Sequence, residues 1–350
     1  MRPSLSVLIV AYESRGDLAR ALPALLPELD EGDELIVVDN KPGDGSVELV
    51  REIAPAARIV QTGRNTGFAG GCNAGAEVAA GELLVILNPD AAPEPGFGAA
   101  IRRPWLEDRG WGAWQALVAD GTGERINSAG NPIHFTGIVW AGGHGQPLAE
   151  APAAGEVTAV SGACLAIPLS SWRESGGFPD EYFMYHEDVD ISVRLRSAGH
   201  VVGIEPSAVV RHDYEFAASA EKWLWLERNR LAFLVRTYPG ALLALLSPAL
   251  LATEIALLLV AASGGWGSQK LRANLQFLRW LPRLLRERRT VQATRTASAA
   301  EFASWLTPDL DSDLISPLAR SFPIRSLLRA YWQAVRFLLR GLSRQGRNVL

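Results

Sequence analysis

Ser6-Val7-Leu8-Ile9-Val10-Ala11 is an apolar run of strand length, and its reading decides the fold. Similar runs recur as Glu34-Leu35-Ile36-Val37-Val38-Asp39 and Glu82-Leu83-Leu84-Val85-Ile86-Leu87, with the shorter Ala57–Gln61 between them. Segments of helical character separate them: Asp17–Leu29, which Pro23 and Pro27 bend or shorten, then Val47–Ile53 and the small-residue stretch Gly70–Ala80. Apolar strands alternating with helices predict a parallel, helix-covered sheet. In such sheets ligands bind beyond the carboxyl ends of the strands. The residues to watch therefore end each run: Tyr12 and Glu13, Asp39 and Asn40, Arg64 and Asn65, and Asn88-Pro89-Asp90.

Past Asp90 the alternation loosens. Trp114–Ala119 and Ile133–Trp140 read as extended segments joined by the turn Asp120-Gly121-Thr122-Gly123. Gly142–Gly155, rich in Gly, Pro and Ala, reads as a mobile surface loop. Val157–Pro168 is expected as a buried strand and Val189–Ala198 as a helix capped by Gly199. Val201–Glu205 and Ala208–Val210 are the last extended pieces. Helices follow, beginning with Glu221–Thr237. Ala241–Ser263 is long enough to span a bilayer, but Pro248 and Glu254 near its middle make that costly. A hairpin of short helices, buried or lying in the membrane interface, is the expectation there. In Ser321–Leu342 the residues Ile324, Leu327, Leu328, Tyr331, Val335, Leu338, Leu339 and Leu342 recur at helical spacing. Arg325, Arg329, Arg336 and Arg340 fall within about 60° of one another on that helix.

The 350 residues suffice for one large α/β domain with an appendage, or two modest domains. A composition of 48% hydrophobic and 21% charged residues excludes a disordered chain. Cys72 and Cys164 lie far apart, which excludes a disulfide framework or zinc knuckle and fits a reducing cytoplasm. The N-terminal apolar run lacks a long h-region and cleavage site, and reads as a strand and not a signal peptide. The net charge of −4 conceals a polarity along the chain. Leu314–Leu350 has seven arginines (Arg320, Arg325, Arg329, Arg336, Arg340, Arg344 and Arg347) and no acid. Lys270–Arg295 is also basic, with Glu287 its one acidic residue. Arginines interleaved with Leu and Phe suit an anionic membrane surface better than nucleic acid, which is not an expected partner.

Chemistry concentrates in His186-Glu187-Asp188-Val189-Asp190, where three acidic groups crowd together, with His212 downstream. Clustered carboxylates need compensation from a metal ion, a cationic neighbour or a substrate proton. An acidic helix start reads the same way. Asp90, at the mouth of the sheet, could hold a Mg²⁺ or Mn²⁺ ion whose other ligands are phosphate oxygens and water. Asn65-Thr66-Gly67-Phe68-Ala69-Gly70-Gly71-Cys72-Asn73-Ala74-Gly75 is a glycine-rich entry to a helix. Gly70 and Gly71 would let a phosphate or nucleoside approach the backbone. It is neither a P-loop nor a dinucleotide fingerprint, since the glycine spacing differs and no Lys-Ser/Thr follows.

Five motifs in this order resemble the inverting nucleotide-sugar transferases of glycosyltransferase family 2: Ser6–Tyr12, Val37–Asn40 with Asp44-Gly45-Ser46, Asn65–Gly75, Leu87–Ala91, and Ser161–Leu195. The resemblance covers about residues 4–235. It implies the GT-A fold, a Rossmann-like mixed sheet flanked by helices. It is strongest to the rhamnosyltransferase-like branch of bacterial cell-surface polysaccharide synthesis, which the Glu227-Arg228-Asn229-Arg230-Leu231 run also resembles. The domain expectation is a transferase domain over residues 1–235 and a membrane-associating helical extension over 236–350.

By the same resemblance, Ala11, Tyr12 and Glu13 would line the nucleotide pocket, and Asp39 would face base or ribose with Asn65 and Asn73 nearby. Asp90 would bind the divalent metal on the donor diphosphate, beside Asn88, with one carboxylate where the family pattern has two. His212 matches a histidine that completes the metal site in some members, a role open to neutral imidazole. Asp188 matches the base that takes the acceptor hydroxyl's proton, with Glu187 or Asp190 as the alternatives. The implied donor is dTDP-rhamnose, the implied acceptor a polyprenyl-linked saccharide, and the location the inner face of the cell membrane. Two other readings compete: a nucleotidyltransferase, and a membrane-bound scaffold whose transferase domain is degenerate.

Overall fold

The computed structural model describes residues 2–213, 220–311 and 321–347. They form two compact units. Met1–Asn131, Ala141–Leu195 and His200–Phe216 make the first; Pro132–Trp140, Arg196–Gly199 and Ala217–Leu350 make the second.

The first unit opens with β1 (Leu5–Ala11), α1 (Arg15–Leu25), β2 (Glu34–Asp39), α2 (Ser46–Ile53), β3 (Arg58–Gln61), α3 (Gly67–Val78) and β4 (Leu83–Leu87). It continues through β5 (Ala91–Pro93), α4 (Phe97–Ile101), α5 (Arg103–Leu106), β6 (Trp111–Asp120), β7 (Ile126–Ser128), β8 (Gly155–Glu156) and β9 (Cys164–Pro168). The last elements are α6 (Leu169–Ser175), α7 (Glu187–Ser197) and β10 (Val201–His212). A single sheet runs β3-β2-β1-β4-β9-β6-β10-β5, with β7 beside β6 and β8 beside β10.

The first four strands pair in parallel, as their unbroken apolar runs require. On β1, Val7 and Ile9 pack with Leu18 and Leu22 of α1, while Leu8 and Val10 pack with Ala69 and Cys72 of α3. Both faces are thus buried. The sheet then becomes mixed: β9 inserts antiparallel between β4 and β6, and β5 is antiparallel to β10. This is the mixed, helix-flanked sheet expected of the whole domain. Parallel pairing is kept among β1–β4 and between β6 and β10.

Three local expectations are corrected. The hairpin partner of β6 is β7 and not Ile133–Trp140, which makes one isolated bridge, Ile133 with Val139, around Gly137 at φ 80°. Gly142–Gly155 is tied down by backbone bonds: Gly142 N–H donates to Gly130, Gly145 N–H to Ile126, and Leu148 N–H to Glu124. Val201–Glu205 and Ala208–Val210 belong to one strand, β10, broken by a register shift between Glu205 and Val209.

The second unit contains α8 (Ala220–Thr237), α9 (Gly240–Ser263), α10 (Gly267–Ala293), α11 (Ala299–Ser304) and α12 (Phe322–Arg347). Compactness thus places α8 with the later helices. The apolar segment is one continuous helix, α9, and not a hairpin of short ones. Pro248 removes one backbone donor, and Ser247 Oγ donates instead to the Ala244 carbonyl, at 2.9 Å. On α12, Trp332, Val335 and Leu339 are buried, with Trp332 stacked on Phe135 at 5.1 Å. Arg320 and the side chains of Arg344 and Arg347 lie outside the described residues.

Candidate active site

The parallel register Ala11↔Asp39 brings the ends of β1 and β2 side by side, and the Asn40 N–H donates to the Ala11 carbonyl at 3.0 Å. Tyr12 is exposed beyond this edge, with the Lys41 ammonium 5.3 Å from its ring centroid and paired with the Glu13 carboxylate. Glu13 has φ 52°, a conformation secured by its N–H donating to Asp44 Oδ2 at 2.7 Å. Asp39 is buried beside them.

The next loop hangs from Asn40. Its Oδ1 accepts from Thr66 N–H and Thr66 Oγ1, both at 2.9 Å, and its Nδ2 donates to Gly67 O at 2.9 Å and Asn65 Oδ1 at 3.2 Å. Asn65 Oδ1 also accepts the Gly67 N–H at 2.9 Å. Asn65 is therefore at the strand-end cluster, as a loop-builder. Asn73 points elsewhere: Nδ2 donates to Phe178 O and Asp180 Oδ1, and Oδ1 accepts from Phe178 N–H. Gly71 faces the core, where a Cβ would come within 2.6 Å of Val10, so this glycine serves helix-to-sheet packing. A Cβ on Gly70 would meet the Thr66 side chain at 2.8 Å. The anion approach expected at Gly70 and Gly71 is thus closed at Gly71 by β1. At the start of α3, Ala69 N–H is already donated to Phe183 O at 3.0 Å.

That last bond fixes a strained loop. Phe183 has φ 64° and ψ −62°, and the Met184 N–H donates to Tyr182 O at 2.7 Å, which makes a γ-turn of the rare, strained hand. Tyr185 and His186 are also left-handed, at φ 69° and 71°. Such strain persists only where surrounding contacts over-determine it. Here the Phe183 carbonyl fits only because residue 67 lacks a side chain: a Cβ there would sit 2.3 Å from that oxygen, and Gly67 itself is at φ 73°. Gly67→Ala is expected to destabilise the protein by about 1–3 kcal/mol. The check is a lower denaturant midpoint at unchanged slope.

The acidic cluster opens α7, and its three carboxylates meet different surroundings. Asp190 is fully buried, with Arg194 Nε donating to Oδ1 at 2.5 Å and Tyr182 OH to Oδ2 at 3.2 Å. Arg194 also donates to the Gly177 carbonyl at 2.6 Å. Asp190 is thus a neutralised strut for the loop below. Glu187 is buried with Oε2 lacking a hydrogen bond. Burial, then the charges of Asp188 and Asp190, push its carboxyl far above the ordinary range. Asp188 keeps part of its surface exposed. Its Oδ2 accepts the Gly162 N–H and its Oδ1 the Val189 N–H, each at 2.8 Å. Burial raises its carboxyl above the ordinary value, and these two donors only partly offset the rise.

Gln115 and Ser192 complete the cradle and carried no signal beyond a polar side chain in an apolar strand or helix. Gln115 Oε1 accepts the Ser161 N–H at 2.8 Å, next to the Gly162 donor. Ser192 Oγ accepts the Val160 N–H at 3.1 Å and donates to the Asp188 carbonyl at 2.6 Å.

The β4–β9 register joins this cradle to Asp90. Leu87 pairs with Cys164, and one step further the Asn88 N–H donates to Ala163 O at 3.0 Å, beside Gly162. Two residues past Asn88, Asp90 Oδ1 lies 3.0 Å from His212 Nε2, and Asn88 Nδ2 is 3.3 Å from the same nitrogen. The pair meets because β5 and β10 align Ala91 with His212. Burial raises the Asp90 carboxyl, but the His212 hydrogen bond and charge outweigh it and leave the group below its ordinary value. Among the described residues no group of three or more His, Cys, Asp or Glu is placed to hold a metal ion. One carboxylate and one imidazole still suit a hard or borderline divalent cation that takes its remaining ligands from phosphate and water.

The model of glycosyl transferase family 2 matches residues 6–135. The N-acetylglucosaminyl-diphospho-decaprenol L-rhamnosyltransferase of Mycobacterium tuberculosis is 30% identical over 241 residues, covering 61% of this chain and 76% of that protein. Among solved structures, GalNAc-T7 with UDP, GalNAc and Mn²⁺ superposes with a TM-score of 0.57 at 15% identity. That match covers 69% of this chain and half of the other, 50%. A mannosyltransferase from Pyrobaculum calidifontis in complex with GDP-Man and Mn²⁺ gives 0.51 at 19% identity, covering 79% of this chain and 88% of that one.

Proposed function

Because the chain belongs to glycosyltransferase family 2, in its rhamnosyltransferase-like branch, we propose that it transfers a sugar with inversion from a nucleoside-diphosphate donor to a lipid-linked saccharide hydroxyl. The observation that carries this reading is the shared sheet edge: the Asp188 cradle and the Asp90–His212 pair flank the Asn88–Ala163 hydrogen bond.

Each part then has a task. Asp188, the partly exposed member of the acidic cluster, takes the proton of the attacking hydroxyl. Its raised pKa makes the carboxylate a stronger proton acceptor, while Gly162 and Val189 hold it in one orientation. Asp90 and His212, with Asn88 beside them, would hold Mg²⁺ or Mn²⁺. The cation would neutralise charge building on the departing diphosphate. Tyr12, backed by Lys41, offers an exposed ring to the nucleobase at the end of β1, and Ala11, Glu13, Asp39 and Asn65 would complete that pocket.

The relative's name describes rhamnosyl transfer to a diphospho-decaprenol-linked N-acetylglucosamine. That name supports a rhamnosyl donor, which we take as dTDP-rhamnose, and a polyprenyl-diphosphate saccharide acceptor for cell-surface polysaccharide. Such an acceptor would put the enzyme on the inner face of the cell membrane. Residues 1–235 would carry transfer and 236–350 the membrane association.

The test is a screen of nucleotide sugars for release of nucleoside diphosphate in the presence of a polyprenyl-linked acceptor. Turnover with dTDP-rhamnose is expected to stop when EDTA removes divalent ions and to return with added Mn²⁺ or Mg²⁺. Unchanged turnover in EDTA would remove the metal role from Asp90 and His212. No release with any nucleotide sugar would sink the reaction itself.

A further inference from the structure

The helices of the second unit expose an apolar surface that the transfer chemistry does not use. On α9, Leu251, Ile255 and Leu259 recur four residues apart and are 63%, 53% and 68% exposed. Glu254 is the one charged residue of this helix, and it does not face outward alone. It pairs with Arg230 of α8 and with Lys270 of α10, at 2.7 Å for the lysine. Both cations are buried, and both also bind Glu227. Pulling α9 away to cross a bilayer would carry Glu254 into hydrocarbon and leave Arg230 and Lys270 sharing one carboxylate. The helix is thus held alongside α8 and α10 by its middle.

α10 repeats the pattern with charge. Leu271, Leu275, Leu278 and Leu285 are exposed. At about 100° per residue they fall within about 80° of one another. Arg272, Arg279 and Arg286 follow at seven-residue intervals along one side of that stripe, all exposed and without an ion pair among the described residues. The one acid of this helix, Glu287, is bound by Arg283 and Arg236. A second copy packing on this stripe would bring the same arginines toward each other with no acid to offset them. An anionic surface meets both the leucines and the arginines.

We propose that the exposed faces of α9 and α10, edged by Arg272, Arg279 and Arg286, dock on an anionic phospholipid bilayer, with α9 lying along the surface and not across it. This deepens the membrane placement proposed above and is independent of which sugar is transferred.

The test uses the full chain and sedimentation with vesicles of phosphatidylglycerol and phosphatidylcholine in equal parts, against phosphatidylcholine alone. Binding is expected to the anionic vesicles and to be released by alkaline carbonate. Arg272→Gln, Arg279→Gln and Arg286→Gln together should lower partitioning about fivefold per arginine. Leu275→Glu with Leu278→Glu should lower it about tenfold or more for each leucine. Carbonate-resistant binding would mean a true span and overturn the proposal, as would equal binding of all variants. A dimer in sedimentation velocity that Leu275→Glu with Leu278→Glu dissolves would assign the face to a second copy and also overturn it. Turnover on a water-soluble short-chain acceptor should be unchanged in both variants. A wild-type failure on that acceptor counts against the proposed reaction and leaves the vesicle result standing.

Discussion

Asp188→Asn is expected to lower the rate of sugar transfer about 10²–10⁴-fold, the usual contribution of a positioned general base. Donor affinity should change little, because the Asp188 carboxylate accepts the Gly162 and Val189 N–H groups, of which asparagine can keep one, and makes no hydrogen bond to the Asp90 pair. The pH profile sharpens the test. The base works as a carboxylate, and its pKa is raised in the folded protein. Wild-type kcat/KM should therefore fall as pH drops through a value above the ordinary aspartate range, and the asparagine variant should lack that limb. Glu187→Gln separates the two neighbours, since burial and the charges of Asp188 and Asp190 raise the Glu187 carboxyl well above its ordinary value and favour its neutral form. That variant is expected to retain most of the turnover. Near-wild-type turnover in Asp188→Asn, or its loss in Glu187→Gln with Asp188 intact, would move the base to Glu187.

The second large effect is on stability. Arg230→Met is expected to cost about 3–5 kcal/mol, the penalty of leaving a buried ion cluster without one partner. Arg230 donates to Glu227 Oε2 at 2.9 Å and to the Thr136 carbonyl at 3.1 Å, and it pairs with Glu254. Its loss leaves two carboxylates on Lys270 alone. Acid should weaken the wild type through the same cluster. Burial alone would raise the Glu227 carboxyl, but Arg230 and Lys270 outweigh it and bring the group from 4.5 down to about 2. A depressed folded pKa stabilises the fold above pH 4.5, and that contribution disappears as pH falls toward about 2. In Arg230→Met the acid-sensitive part of the unfolding midpoint should shrink. A variant with wild-type thermal midpoint and wild-type acid response would show that the cluster contributes nothing.

What could be read from residue order depended on the range of the interactions. The strand Glu34–Asp39 has the bounds expected of its apolar run, because burial on both faces leaves a purely local mark. α3 begins at Gly67, three residues before the small-residue stretch, where Asn65 Oδ1 accepts the Gly67 N–H and Asn40 Nδ2 donates to the Gly67 carbonyl. β5 is three residues ending in proline and is a strand only because β10 lies beside it. Asp188 and Asp190 look alike in sequence, yet two residues on a helix turn roughly 200°, so one meets Gly162 and the other Arg194. The left-handed run at Phe183, Tyr185 and His186 carries no glycine to announce it, since its cause is the α3 terminus more than a hundred positions earlier. Family resemblance pairs His212 with Asp90, and the β5–β10 register supplies the physical reason.

The position of β9 has a consequence for how the chain is made. A polypeptide leaving the ribosome completes β1–β4 early, but the edge of β4 stays open until Cys164–Pro168 has emerged to cover it. β6 likewise waits for β9 on one side and β10 on the other. Until then the nascent sheet has unpaired edges, which are sites for association with other chains. A fragment ending at residue 135 would lack β9 and β10 and leave those edges of β4 and β6 unpaired. Asp90 can meet His212 only when synthesis has passed the last strand, so the proposed metal pair is completed late.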